Sequence, residues 1–133
     1  MSVAEIIEHP KALSDWVATA RSGVPKSVLD ALAIELGVKP AELAPLLHVS
    51  ARTLQRQSAD KLLPPEISER VLLILRVYER ACEVFDAPQD AAAWLRRPNR
   101  ALGGQTPLGL LDTVFGAEQV TNILGRIEHG VFS

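Results

Sequence analysis

Arg52, Gln55 and Arg56 stand within the string SARTLQR, Ser50 to Arg56, and these side-chain types hydrogen-bond guanine and adenine edges or grip phosphates. At about 100° per helical residue, Arg52 and Arg56 point away from Leu54, with Gln55 to one side. A recognition helix has this layout, with one apolar residue fastening it to the protein and polar residues facing the major groove. Ser50 is placed to cap the helix N-terminus, and Thr53 completes a candidate DNA-reading set of Ser50, Arg52, Thr53, Gln55 and Arg56. The competing account is a solvated arginine face on a small bundle. A second string, WLRRPNRALGGQTPLGLLD, runs from Trp94 to Asp112. A phosphate-cradling loop would need a strand before it and Lys-Ser/Thr after its glycines, and neither is present. Arg96, Arg97 and Arg100 suit a nucleic-acid contact, since no acidic residue lies between Ala91 and Leu111, although only Trp94 is nearby for stacking. The same string also reads as a tight connection between helices: Pro98-Asn99 ends one, Gly103-Gly104 supplies backbone freedom, and Thr106-Pro107 caps and starts the next. His9, His48 and His129 are too dispersed for a metal site, and no serine, cysteine or carboxylate pair has an evident activating partner. No enzyme activity, cofactor or metal is expected.

The elements that must hold these residues are helices. Strand-like alternation is absent, and Ala, Leu, Glu and Arg recur at helical spacing with prolines where helices should begin. Pro10 to Arg21 places Leu13, Trp16, Val17 and Ala20 on one face before Gly23. Pro25 to Leu36 carries Val28, Leu29, Leu32 and Leu36 and stops at Gly37. Pro40 to Leu47 and Ala51 to about Ser58 flank the turn HVS. There Ala44 is small where helices cross, Leu54 is the anchor, and His48 takes the position where Gly is usual because φ is positive. Pro65 to Phe85 is the longest helix and apolar almost all round between Val71 and Tyr78. Short helices over Ala91 to Arg97 and Pro107 to Asp112 precede a last one, Ala117 to Glu128, ended by Gly130. Gly125 costs that helix about 1 kcal/mol relative to Ala, which points to a close packing contact there.

The fold class is therefore all-α, a helix-turn-helix bundle followed by a small helical domain. The chain divides near Phe85 to Pro88: an N-terminal helix at 1–23 that is a candidate dimerisation element, a helix-turn-helix region with its long spine helix at 24–86, and a C-terminal domain at 87–133. The 133 residues are 47% hydrophobic and 23% charged, which suits a globular chain and argues against disorder. The single cysteine, Cys82, leaves no disulfide framework. No basic leader and no run of about 18 apolar residues appears, so a cytoplasmic protein without a membrane partner is expected. The net charge of −2 means that any DNA contact must be local, and residues 48–61 carry three basic residues against one acidic.

WLRRPNRALGGQTPLGLLDT followed by GAEQVTNILGRIEHGVFS resembles the toxin-binding C-terminal domain of the Xre/MbcA/ParS-type antitoxins. The pattern is Trp-Leu, then Pro-Asn-x-x-Leu-Gly-Gly-x-x-Pro, then a final helix ending near His-Gly. ELAPLLHVSARTLQR is similar to the Xre-like helix-turn-helix of the same family. Together they span Val24 to Ser133, with His48 in place of the usual Gly as the main departure. The resemblance implies a type II antitoxin that covers the active-site cleft of a RES-domain toxin, an NAD-consuming enzyme, and represses its own promoter by binding operator DNA. It further implies toxin contacts from Arg96, Arg97, Asn99, Arg100, Gly103, Gly104, His129, Gly130, Val131, Phe132 and Ser133. A homodimer within a larger toxin–antitoxin complex is expected. Two other classes stay open: a stand-alone helix-turn-helix regulator whose C-terminal domain dimerises, and an interaction module whose helix-turn-helix does not bind DNA.

Overall fold

The computed structural model describes residues 2–6 and 10–130. Within them the chain runs α1 (Val3–Ile6), α2 (Leu13–Ser22), α3 (Lys26–Leu36), α4 (Pro40–Leu43), a 3₁₀ turn at Ala44–Leu47, α5 (Ala51–Gln55), α6 (Pro65–Phe85), α7 (Pro88–Arg96), 3₁₀ turns at Arg100–Leu102 and Leu108–Asp112, and α8 (Val114–Glu128). No helix among the described residues is long and apolar enough to cross a membrane. The chain forms two compact units, Met1–Leu72 and Leu73–Ser133. The break falls inside α6, some residues before Phe85 to Pro88. A helix apolar nearly all round supplies core residues to one unit along its first half and to the other along its second.

In the first unit, α3 packs against α1 and α4, and α4 against α5. Val24, Val28, Leu29, Leu32 and Leu36 are fully buried, as are Leu43 and Leu47 nearby. Gly37 closes α3 in the left-handed conformation, φ 74°, where a side chain would be strained. An isolated antiparallel bridge between Pro25 and Leu62, not anticipated from the sequence, ties the chain after α5 to the start of α3. The Ser27 and Lys26 amides donate to Ala59 and Lys61 carbonyls, and the Leu63 amide donates to Val24. This pairing draws the chain out of helix, so α5 ends at Gln55 rather than about Ser58. Ser68, fully buried, accepts from the Val24 amide at 2.9 Å and donates to the Leu63 carbonyl at 3.0 Å. Gly23 is held by sterics as well as conformation: at φ 88° a Cβ would stand 2.7 Å from the Leu63 carbonyl oxygen. The helix before it starts at Leu13, later than Pro10. The Asp15 carboxylate accepts from the Ala12 amide at 3.1 Å and caps the helix there.

In the second unit, α7 and α8 both pack on the Leu108–Asp112 turn. Leu95, Leu111, Val120 and Leu124 are buried. α8 begins three residues before the expected Ala117, because Thr113 caps it by accepting from the Gly116 amide at 3.0 Å. The close packing expected at Gly125 lies elsewhere. Among the described residues, nothing beyond its chain neighbours and the helix's own backbone lies within 4 Å of a Cβ placed on Gly125, whereas one on Gly116 would stand 1.9 Å from the Leu110 carbonyl oxygen. The glycine that lets backbone approach backbone is thus in the first turn of the helix.

Candidate functional site

The first candidate surface is built on α4, its 3₁₀ extension and α5. His48 ends the 3₁₀ turn at φ 58°, ψ 36°, so histidine does occupy the left-handed position where glycine is usual. Its amide donates to the Pro45 carbonyl and that of Val49 to Ala44, which reverses the chain within three residues. Ser50 then starts α5: its hydroxyl oxygen accepts from the Thr53 amide at 3.0 Å and lies 2.8 Å from the Thr53 hydroxyl. Leu54 is buried at 2% exposure and holds the helix down. Arg52, Thr53, Gln55 and Arg56 are exposed, as the helical spacing requires. Arg52 and Arg56 have no ion pair among the described residues. Arg70, on α6, donates from Nε to the Leu46 carbonyl at 2.7 Å, satisfying a carbonyl at the end of the turn's helix. The result is a short cationic ridge whose backbone is fixed from below.

The second candidate surface belongs to the other unit. Trp94 rests on Phe85, ring centroids 5.6 Å apart and tilted by 40°, and Leu95, Leu102 and Leu111 are buried in the same unit. The Asn99 to Gln105 loop is closed by its own hydrogen bonds. The Asn99 amide donates to Gln105, its carbonyl accepts from Leu102 and Gly104, and its Oδ1 accepts from the Ala101 amide at 2.9 Å. One asparagine therefore organises the whole turn. Gly103 and Gly104 adopt φ 68° and 83° with open space around them, so glycine is demanded there by conformation alone. Thr106 accepts from the Gly109 amide at 3.0 Å, starting the next turn above the buried Pro107. The connection reading of this string thus accounts for its geometry.

Of the arginines in that string, Arg96 and Arg97 turn back along α7, each donating Nε to the carbonyl four residues earlier at 3.3 Å. Arg100 is exposed on the loop. At the end of α8, Arg80 donates to both carboxylate oxygens of Glu128, at 2.9 and 2.6 Å, and to Glu83 at 3.2 Å. Hydrogen bonding from Arg80 holds the Glu128 carboxyl below the usual range, and the same bonds raise the guanidinium further above its own. His129 follows, 3.9 Å from Glu128, and Gly130 turns the chain at φ 71°. The candidate contacts Val131, Phe132 and Ser133 lie outside the described residues. Among the described residues, the expected toxin contacts therefore fall in two places, the end of α7 with the Asn99 loop that follows it, and the end of α8. Val114 and Phe115, 59% and 76% exposed, escaped the sequence reading. Their signal was Thr113, a cap that moves both into the first turn of α8.

Residues 15–76 match the antitoxin Xre-like helix-turn-helix domain and residues 80–130 the antitoxin Xre/MbcA/ParS C-terminal toxin-binding domain. An Antitoxin Xre of Yersinia enterocolitica is 33% identical over 119 residues, covering 88% of this chain and 80% of that protein. The chain belongs to the antitoxin Xre family. A second Antitoxin Xre, from Photorhabdus laumondii, is 32% identical over 87% of this chain and 80% of its own. A protein of Sphingobium sp. named Prs ADP-ribosylating antitoxin is 33% identical, over 90% of this chain and 81% of its own. The protein is accordingly an antitoxin of a toxin–antitoxin pair, with a toxin as its partner. The two family matches fall one on the α5 ridge and one on the Asn99 loop and α8. Among the described residues no cluster of His, Cys, Asp or Glu is arranged to hold a metal.

Proposed function

We propose that this Xre-family antitoxin neutralises a RES-domain, NAD-consuming toxin by covering its active-site cleft, and represses its own operon by binding operator DNA in the cytoplasm. The carrying observation is the α5 ridge. Leu54 is buried while Arg52, Thr53, Gln55 and Arg56 face solvent, within a segment matching the family's helix-turn-helix. Arg52, Gln55 and Arg56 read base edges or phosphates, and Ser50 and Thr53 orient the helix. A single helix of this length makes few contacts, so the chain binds as a homodimer within a larger toxin–antitoxin complex, on half-sites about 34 Å apart or a multiple of that. The α2 face, where Leu13 and Val17 are 63% and 46% exposed, and the spare side of α6 are the surfaces available for pairing. In domain terms, 1–23 serves dimerisation, 24–86 DNA and 87–133 the toxin.

Toward the toxin, the Asn99 loop is a rigid platform that presents the end of α8. In this reading Arg96, Arg97, Asn99, Arg100, Gly103 and Gly104 contact the toxin around its cleft, and the other contacts come from His129, Gly130, Val131, Phe132 and Ser133. Occlusion of this kind excludes the substrate and needs no chemistry from the antitoxin, so the chain is not an enzyme. The Sphingobium relative's name joins an antitoxin to ADP-ribosylation, chemistry that draws ADP-ribose from NAD, and this favours a cleft that binds NAD. The test co-expresses the toxin encoded beside this gene with an antitoxin lacking residues 130–133, following growth and cellular NAD. Falling NAD with operator binding intact is expected. Full protection by the truncated chain would move the neutralising surface back onto the helices.

A further inference from the structure

The second unit carries a groove that its own residues leave open. Leu73, Arg76 and Val77 of α6 and Val114, Ala117 and Glu118 of α8 line a cavity of about 440 Å³. Both rows follow the i, i+3, i+4 spacing of a helix face, so the groove runs between two helices like the space a further knob of side chain would fill. Beside Val114 stands Phe115, 76% exposed, more than any other large apolar residue described. The groove walls carry opposite charges. Arg76 and Glu118 are both exposed and, among the described residues, neither is paired with the other or with any third group. Arg80, one helical turn along the same wall, is by contrast engaged by Glu83 and Glu128.

A projecting aromatic ring next to an apolar recess, with one unmatched cation and one unmatched anion on its rims, is a surface complementary to itself. Two-fold association uses such surfaces, because each residue of the patch then meets its counterpart in reciprocal fashion. We propose that a second copy of this chain docks on the α6/α8 groove about a two-fold axis, Phe115 of each copy entering the groove of the other while Arg76 of each faces Glu118 of the other. The opposite charges on the two walls favour a second copy as the occupant of this groove. The inference rests on the dimer reading above and gives that dimer a face.

The experiment measures molar mass by light scattering across a micromolar concentration series of the free full-length antitoxin. The wild type is expected to pass from monomer to dimer. Phe115→Glu should raise the dissociation constant at least about 30-fold, the loss typical of an aromatic at the centre of an interface, with the helical circular-dichroism spectrum unchanged because the residue is exposed. Arg76→Glu and Glu118→Arg should each weaken dimerisation alone. Mixing those two variants should restore it, since the mixed dimer regains both opposite-charge pairs; a pairing within one chain would give the mixture no advantage. A dimer that survives Phe115→Glu, or a mixture no tighter than its components, overturns this face while leaving the homodimer standing. A monomeric wild type overturns both. Unchanged mass with loss of co-purified toxin from the Phe115→Glu chain would also overturn it and assign the groove to the toxin. Operator and toxin assays on the wild type judge the antitoxin reading separately.

Discussion

Gly116→Ala and Gly125→Ala make one chemical change twice in one helix and are expected to move stability in opposite directions. At Gly125 the added methyl meets nothing within 4 Å, so the change delivers only helix propensity, a gain of about 0.8–1 kcal/mol. At Gly116 the methyl would stand 1.9 Å from the Leu110 carbonyl oxygen and 2.8 Å from its carbon, where ordinary contact begins at 3.4 Å. The obstacle is backbone, so no side-chain rotation relieves it, and the Leu108–Asp112 turn must retreat from α8 by more than an ångström. Leu111 in that turn is 1% exposed, so the retreat opens the core. Overpacking commonly costs about 1–3 kcal/mol, and an immovable neighbour sets the upper end. Gly116→Ala should therefore lose about 3 kcal/mol, leaving the two variants about 4 kcal/mol apart. Urea denaturation followed by circular dichroism measures both, and the midpoints should fall on either side of the wild type at an unchanged slope. A Gly116→Ala chain within about 0.5 kcal/mol of the wild type would refute the packing argument. A destabilised Gly125→Ala chain would show that something does pack on that glycine.

Arg52→Ala and Arg56→Ala should each weaken operator binding by about 1–3 kcal/mol where the arginine reads a base, and less where it touches phosphate only. Salt-dependent gel shifts distinguish these cases, and unchanged affinity in the double variant would remove α5 from the interface. Gly103→Ala and Gly104→Ala, though free of any clash, should each cost about 1–2 kcal/mol because L side chains resist that backbone region; thermal melting of the two chains checks this, with Arg100→Ala as the neutral control. The Glu128 carboxyl is depressed by Arg80, so its contribution is complete above the unfolded glutamate value of about 4.3 and fades as pH falls through the lower folded value. Amide exchange in the last turn of α8 should accelerate across that acid window. In Arg80→Gln the Glu128 titration followed by NMR should return to the ordinary range.

What the sequence determined by itself was everything that local chemistry dictates. Prolines and glycines at helix ends, apolar residues at three- and four-residue spacing, and polar turn residues gave the all-α class, the bounds of the long α6, and a short helix after the turn with Leu54 inward and Arg52 and Arg56 outward. His48 at the positive-φ turn and Thr106 as a cap were equally legible, because a turn or cap is made by residues adjacent in sequence. The Asn99 loop was legible as a connection, but not the four hydrogen bonds that Asn99 makes through its amide, carbonyl and side chain. Tertiary structure alone decided which glycine the fold requires for packing. Gly116 and Gly125 look alike in sequence, and only the path of the Leu110 backbone separates them. It also decided where α5 stops, because the 59–63 segment pairs with the start of α3, and it joined Arg80 to Glu128 across 48 residues. The α6/α8 groove belongs to the same class. Its walls come from two helices far apart in the chain, and whether an apolar residue such as Phe115 is core or surface depends on which elements arrive beside it, a matter that helical periodicity does not encode.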